Sequence, residues 1–234
     1  MSHFDRFPDT HWTLVSRAGA GDDALRRSAL ERLASLYWRP IYAYLRLHWN
    51  RTRDDALDLT QEFFVKLLEG PLLQSADQDR GRFRAFLKAS IDHFVMNHAR
   101  DERALRRGGD RVKLPLDDDP DRFLQARTTD TPEEILDRHW RSAVLDEALR
   151  RLEAKHGADD TLRVFRRYDL AATAERPTYD DLAKEFGLSR NDIDTHLRRA
   201  RKDLVLAIRS VLSESVSDGA RLAEEESEFF AGDL

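Results

Sequence analysis

The chain has 234 residues, 35% of them charged, and a formal net charge of −5. It contains no cysteine, which excludes disulfide frameworks, thiolate metal sites and thiol nucleophiles, and is typical of cytosolic proteins. The apolar runs are too short to span a membrane, and the N-terminus lacks the apolar core of a signal peptide. Glycine and proline are few and β-branched runs are absent, so we predict an all-α, cytoplasmic protein.

Two helices are predicted between residues 12 and 48, separated by a glycine-rich break at 19–23. The second carries apolar residues at helical spacings from Leu25 to Leu45. Pro40 is expected to kink this helix or to mark a boundary. Its aromatic residues are interpreted as core rather than as a cofactor site.

The segment RDDALDLTQEFFVKLLE, residues 53–69, predicts a helix with a strong packing face. Its candidate partner-binding residues are Asp55, Asp58, Gln61 and Glu62. Asp58 and Glu62 share one face, where like charges repel mildly and add no stability. A solvated acidic face, a partner-binding surface and a metal site are the possible interpretations. Helical carboxylate metal sites need two Glu-x-x-His pairs. The chain has one such pair, at 153–156, so we expect no metal and no other cofactor.

A long helix is predicted at 81–107, GRFRAFLKASIDHFVMNHARDERALRR. Between residues 82 and 113 nine basic residues stand against four acidic ones, which makes this stretch basic within an acidic chain. Basic residues interleaved with aromatic ones are typical of surfaces that bind a nucleic-acid strand. Phe86 and Leu87 are expected in the core, whereas the arginines of 100–107 are expected to form an exposed basic face.

Composition also predicts the domain borders. A helical domain at 10–108 is followed by an acidic linker at 109–131, which contains two prolines and the sequence DDDPD and is expected to be flexible or draped over a partner. A second helical domain is predicted at 132–212. The tail, 213–234, has seven acidic residues and one arginine. It is interpreted either as a shield for a basic helix of the same chain or as a solubilising end.

The segment 178–208 predicts two helices joined by a sharp turn. Thr178 and Ser189 are expected to be N-caps, the second with Asp192 at the spacing of a capping box. Gly187 is expected to be left-handed in the turn between them. This pattern indicates a helix-turn-helix, in which the second helix enters a DNA major groove.

The second of these helices divides into two faces at about 100° per residue. The predicted packing face comprises Ile193, Leu197, Ala200 and Leu204. On the other face, Asn and Arg can bind base edges, and Lys and Arg can neutralise phosphates. The candidate DNA-contacting residues are Ser189, Arg190, Asn191, Thr195, Arg198, Arg199 and Lys202. A solvated charged face is the alternative, but the caps, the turn glycine and the cationic cluster favour DNA.

Three segments, in this order, resemble bacterial RNA polymerase sigma factors of the extracytoplasmic-function (ECF) type. DALDLTQEFFVKLLE, 55–69, resembles region 2.2, which binds the clamp coiled coil of the large polymerase subunit. FRAFLKASIDHFVMNHAR, 83–100, resembles regions 2.3 and 2.4, which melt and read the −10 promoter element. GLSRNDIDTHLRRARKDL, 187–204, resembles region 4.2, which reads the −35 element. The resemblance spans about residues 10–210.

The resemblance implies a promoter-specificity subunit without a reaction of its own, with core RNA polymerase and promoter DNA as partners. The acidic set on 53–69 would contact the polymerase, and the polar set on 187–204 would read the −35 duplex. The loop at 72–82 would help to capture an extruded base. The residues expected to meet the −10 strand are Arg82, Arg84, His93, Asn97, Arg100, Arg103, Arg106 and Arg107.

The chain departs from the family pattern at three places. His93 stands where the family often has Asn, and Asp194 stands where it often has Lys or Arg. The entry to the second domain, 152–177, is longer than the usual proline-containing one.

Two other classes stay open. A stand-alone helix-turn-helix regulator would bind an operator as a dimer, but it would leave 55–69 unexplained. A helical carboxylate metalloenzyme would need further Glu-x-x-His pairs. Three ways of holding a sigma factor inactive also stay open: an anti-sigma factor as a further partner, the acidic tail, and phosphorylation.

Overall fold

The computed structural model describes residues 23–69, 83–101, 119–124, 130–214 and 219–231. These ranges contain α-helices, short 3-10 segments and turns but no strand, which confirms the predicted all-α class. Their α-helices are α1 (Asp23–Leu47), α2 (Arg53–Glu69), α3 (Phe83–Asp101), α4 (Pro132–His156), α5 (Asp160–Tyr168), α6 (Tyr179–Phe186), α7 (Arg190–Ser213) and α8 (Gly219–Ala231). The helix predicted before residue 19 and the loop at 72–82 lie outside the described residues.

The chain divides into two compact units. The first comprises the described parts of Met1–Ala143 and Leu212–Leu234, and the second is Val144–Val211. The unit borders therefore fall inside α4 and α7, and the C-terminal helix α8 belongs to the first unit. The borders that composition suggests at 108 and 132 stay predictions.

The core of the first unit forms around α1. Pro40 lies inside this helix, which continues to Leu47, so the proline does not mark a boundary. The residues of α1 that are almost fully buried include Leu33, Leu36, Tyr37, Ile41, Tyr42, Tyr44 and Leu45. The α2 helix has its predicted bounds and packs Phe63 against Phe94 of α3, with ring centroids 5.6 Å apart. Leu87 is buried as predicted, whereas Phe86 is only half-buried.

Part of the predicted linker is held against α1. A 3-10 turn, Pro120–Phe123, places the Asp121 carboxylate where it accepts hydrogen bonds from Tyr42 and Arg46. Burial, together with the Asp121 carboxylate, raises the pKa of the Tyr42 hydroxyl. The guanidinium of Arg39 lies 3.7 Å from the Phe123 ring centroid. These contacts tie residues 120–123 to the first unit.

Two apolar clusters build the second unit. One joins Leu152, Leu162, Phe165 and Ala200, with Leu204 packed at its edge. The other joins Val164, Leu182, Ile193 and Leu197. The predicted packing face of α7 is thus confirmed, because all its members enter one of the two clusters.

The turn between α6 and α7 has the predicted geometry. Thr178 caps α6 in a capping box with Asp181. Gly187 adopts φ = +68°, the left-handed conformation that glycine reaches at the lowest cost. The Ser189 hydroxyl accepts from the backbone N–H of Asp192, and the Asp192 carboxylate accepts from the N–H of Ser189. At each helix start, local side chains therefore satisfy the N–H of the cap residue and one of the free N–H groups of the first turn.

Candidate polymerase and nucleic-acid interfaces

The acidic residues predicted to bind polymerase lie along α2. Asp55 and Asp58 are exposed, whereas Gln61 and Glu62 are half-buried. Glu62 is held within the unit, since its carboxylate lies 2.9 Å from Lys66 Nζ and 3.1 Å from Nε2 of His98 on α3. The most accessible negative charge of the predicted set therefore sits in the first half of α2.

The middle of α3 carries the described part of the predicted −10 surface. His93 is exposed, and the Asn97 side-chain amide lies within 3.2 Å of its ring. Met96, between them in sequence, is 49% exposed. Arg100 lies in the last turn of α3. The other arginines predicted here, Arg82, Arg103, Arg106 and Arg107, lie outside the described residues.

Arg84, in the first turn of α3, does not lie on the exposed surface. Its side chain is 7% exposed, and carboxylate oxygens of Asp137, Glu225 and Glu228 lie 2.8, 2.5 and 3.2 Å from its guanidinium nitrogens. The guanidinium carbon is 3.7 Å from the Trp140 ring centroid. Periodicity within 81–107 could not indicate this burial, because all the partners come from α4 and α8.

Asp92 and Lys88 join α3 to its surroundings within the first unit. The Asp92 carboxylate accepts from the Tyr44 hydroxyl at 2.8 Å and from Trp49 Nε1 at 3.1 Å. Lys88 lies between Asp92 at 3.3 Å and Glu133 at 3.1 Å. Burial alone would lower the pKa of Lys88, but these two carboxylates raise it. The N-terminal half of α3 is therefore neutralised by its own unit.

The predicted DNA-reading face of α7 is open to solvent. Its exposed members are Arg190, Asn191, Thr195, Arg198, Arg199 and Lys202. Ser189 precedes them as the cap. Arg198 pairs with Asp194 one turn earlier, and this partner lowers the pKa of the Asp194 carboxyl. Arg190 lies 3.6 Å from Asp180 of α6. The face thus presents cations, an amide and a hydroxyl together.

Two supports of α7 were not predicted from the sequence. Arg201 donates to both carboxylate oxygens of Asp169, at 2.8 and 2.9 Å, so this arginine is engaged within the unit. His156, buried at the end of α4, lies 3.0 Å from the Asp159 carboxylate through Nδ1 and 2.8 Å from Asp203 through Nε2. The Glu-x-x-His spacing marks His156 in the sequence, but its partners lie beyond that motif.

Metal ligation finds no support in the described ranges. They hold no group of three or more His, Asp or Glu side chains placed to bind a metal ion. Glu153 of the Glu-x-x-His pair binds Arg166 instead. In the same ranges, no helix combines the length and apolar character that crossing a membrane requires.

In the described residues, α-helices without strands, a capped helix pair and an exposed polar, cationic face are the features of a helical transcription protein. The model of the ECF sigma factor family matches residues 13–210, and the chain belongs to this family. It is 28% identical over 181 residues to RNA polymerase sigma factor YlaC of Bacillus subtilis (strain 168), covering 76% of this chain and 91% of YlaC. The comparison with solved structures found no match.

The protein is therefore a sigma subunit that directs transcription initiation, with core RNA polymerase and promoter DNA as the partners that its family implies. Sigma factors as a class supply specificity to initiation and are not enzymes.

Proposed function

We propose that this sigma factor binds core polymerase through the acidic face of α2, the −10 element through α3 and the residues after it, and the −35 element through α7. The exposed polar face of α7 carries the proposal. The opposite face of α7 packs into two apolar clusters. The outward Asn, Thr, Arg and Lys side chains are therefore not needed for packing.

The chemistry of the α7 face matches a DNA major groove. Arg198 and Arg199 can donate to guanine edges or to phosphates, and Asn191 can bind an adenine edge with both its donor and its acceptor. Lys202 adds a positive charge for the backbone. The contacts of His156 with Asp203 and of Arg201 with Asp169 hold α7 against its own unit. The DNA-facing side chains therefore project from a helix that is fixed in position.

For the −10 element, the proposal relies on His93, Asn97 and the arginines from 100 to 107. Aromatic and amide groups can contact unpaired bases, and arginines can neutralise the strand. In this assignment the residues at 72–82 capture a base that leaves the stack. A sigma subunit works where the polymerase works, so we assign the protein to the bacterial cytoplasm. An anti-sigma factor is retained as a candidate regulator.

Run-off transcription tests the function. Bacterial core polymerase is incubated with a library of promoter fragments, with and without the full chain. Specific starts that depend on the chain are expected, and the selected fragments identify the promoter. If the chain binds DNA but never joins core polymerase, the proposal is wrong and the protein is a stand-alone regulator.

A charge reversal tests the polymerase surface. Asp58→Arg should weaken holoenzyme formation by about tenfold or more, because it places a positive charge opposite the basic polymerase surface that would complement the acidic face of α2. Glu31→Arg is the matched control, since it makes the same reversal of charge at an exposed position of α1 in the same unit. Affinity for core polymerase is measured by fluorescence anisotropy. Equal effects of the two variants would remove Asp58 from the interface.

A further inference from the structure

The C-terminal helix α8 has an inward face that composition alone does not indicate. In a strongly acidic tail, Glu225 is 5% exposed and Phe229 is fully buried. The Phe229 ring meets Trp140 edge to face, with centroids 6.1 Å apart. One charged and one aromatic residue, a helical turn apart, thus attach α8 to the first unit.

The group that α8 covers has the chemistry of a nucleotide-binding site. Arg84 presents a planar fork of donors, which suits phosphate as well as carboxylate. Its guanidinium lies over Trp140, whose flat ring could stack with a base. An arginine and an exposed aromatic ring are the usual elements of single-strand binding. Here Glu225 and Glu228 pair with the fork, and Phe229 packs edge to face against the Trp140 ring, which is 1% exposed beneath these contacts.

The charge around Arg84 is more negative than pairing requires. One guanidinium meets three carboxylates, those of Asp137, Glu225 and Glu228. A buried pair adds little net stability, but removing one partner is costly. Exchanging the glutamates for a phosphate leaves Arg84 paired, so that cost is avoided. Glu225 and Phe229 are the buried side chains among those described on α8.

We propose that Arg84 and Trp140 form a binding site for single-stranded DNA, and that α8 occupies this site in the free protein. Glu225 and Glu228 take the places of phosphates, and Phe229 covers Trp140. The inference rests on the proposed role of α3 at the −10 element and deepens it: the opened strand displaces α8, so the acidic tail limits DNA binding by the free sigma factor.

Two neighbouring glutamates allow a matched test. Glu225→Gln weakens the contact with Arg84, whereas Glu224→Gln makes the same chemical change at an exposed position of the same helix. Each full-length variant is titrated against a fluorescein-labelled oligothymidine at low salt, without polymerase. Glu225→Gln should tighten binding by about tenfold, the effect of one charge-assisted hydrogen bond, and Glu224→Gln by much less.

Two further measurements keep the test decisive if Glu225→Gln perturbs folding. Glu228→Gln changes a partner that is 38% exposed, so folding is not at stake, and it should tighten binding to a smaller degree. Ultraviolet cross-linking to a bromodeoxyuridine oligonucleotide should label the peptide that contains Trp140, more strongly in the Glu225→Gln variant.

Equal affinities of the Glu225 and Glu224 variants, or cross-links that leave out the Trp140 peptide, would overturn the inference. The helix α8 would then be a structural brace of the first unit. Run-off transcription by the unaltered chain separates this failure from failure of the proposed function. If the chain directs specific starts but these results fail, the site is wrong and the sigma assignment stands.

Discussion

Both α3 and α7 are predicted to face DNA, but their basic side chains lie in different surroundings. The cations of α7 at positions 190, 198, 199 and 202 are exposed, and α7 packs through its apolar side. On α3, Arg84 and Lys88 meet carboxylates from α4 and α8. A basic stretch of sequence therefore does not establish a basic surface, because acidic residues distant in the chain can neutralise it.

The largest expected effect is a difference in stability between a variant of α3 and a variant of α7. Arg84→Ala should lower the free energy of unfolding of the first unit by about 3–5 kcal/mol, because it removes the guanidinium against which the Glu225 carboxylate is buried. Arg199→Ala, on the exposed face of α7, should cost about 0.5 kcal/mol or less. All four tryptophans precede residue 144, so fluorescence during urea unfolding reports on the first unit. A small loss of unfolding free energy in Arg84→Ala would mean that the ion pairs of Arg84 do not stabilise the first unit.

Acid should also distinguish the units. Burial, and then the Arg138 charge, lowers the pKa of His139 in the first unit from 6.5 to about 4. Below pH 6.5 the unfolded chain binds a proton that folded His139 does not. The stability of the first unit should therefore fall by about 3 kcal/mol between pH 6.5 and 4. Urea unfolding at both pH values checks this, and His139→Gln should flatten the dependence. If the stability of His139→Gln falls as steeply with pH as that of the unaltered chain, a group other than His139 causes the loss.

The second unit should resist the same acidification. The Lys155 ammonium lowers the pKa of Asp203, and His156 lowers that of Asp159 although burial opposes it. Carboxyl groups with lowered pKa values stabilise fully above their ordinary value, and this contribution is lost as the pH falls through the lowered one. Hydrogen exchange of the backbone amides of residues 144–211 can follow this unit. Loss of the second unit before the first would contradict the assignment.

A smaller effect compares two arginines of α7. Arg199→Ala should weaken binding of the −35 duplex by about tenfold. If Arg199 binds a phosphate, the variant should also reduce the slope of log K against log salt concentration by about 1. Arg201→Ala is the control, because Asp169 already holds this guanidinium within the unit. Salt titrations on the promoter found by run-off transcription measure both. An unchanged affinity for Arg199→Ala would remove this residue from the interface.

The smallest expected effect concerns Asp194, which pairs with Arg198 on the α7 face. Asp194→Ala removes a negative charge near the DNA backbone and releases Arg198 from its partner. Affinity should rise by about two- to fivefold, and base preference should relax at one position, since the pair orients the guanidinium. Binding to a panel of single-base variants of the −35 element tests this. An unchanged preference would show that Arg198 does not read a base.

Local patterns were sufficient for much of the architecture. The caps at Thr178 and Ser189, the left-handed Gly187 and the bounds of α2 follow from interactions within a few residues, and the structure confirms them. The α7 packing face follows from helical periodicity, because a helix on a small core buries one side only. The family resemblance, confirmed over residues 13–210, depends on motifs of this local kind.

The sequence by itself determined the helical class, the two faces of α7 and membership in the sigma family. Only the tertiary structure decided that Arg84 is buried, that His156 links Asp159 to Asp203, and that the acidic tail contains a helix anchored on Trp140. The physical reason is distance along the chain: caps and periodicity act over one or two turns, whereas the Arg84–Glu225 pair spans 141 residues. Such pairing depends on how helices pack, and no local pattern encodes it.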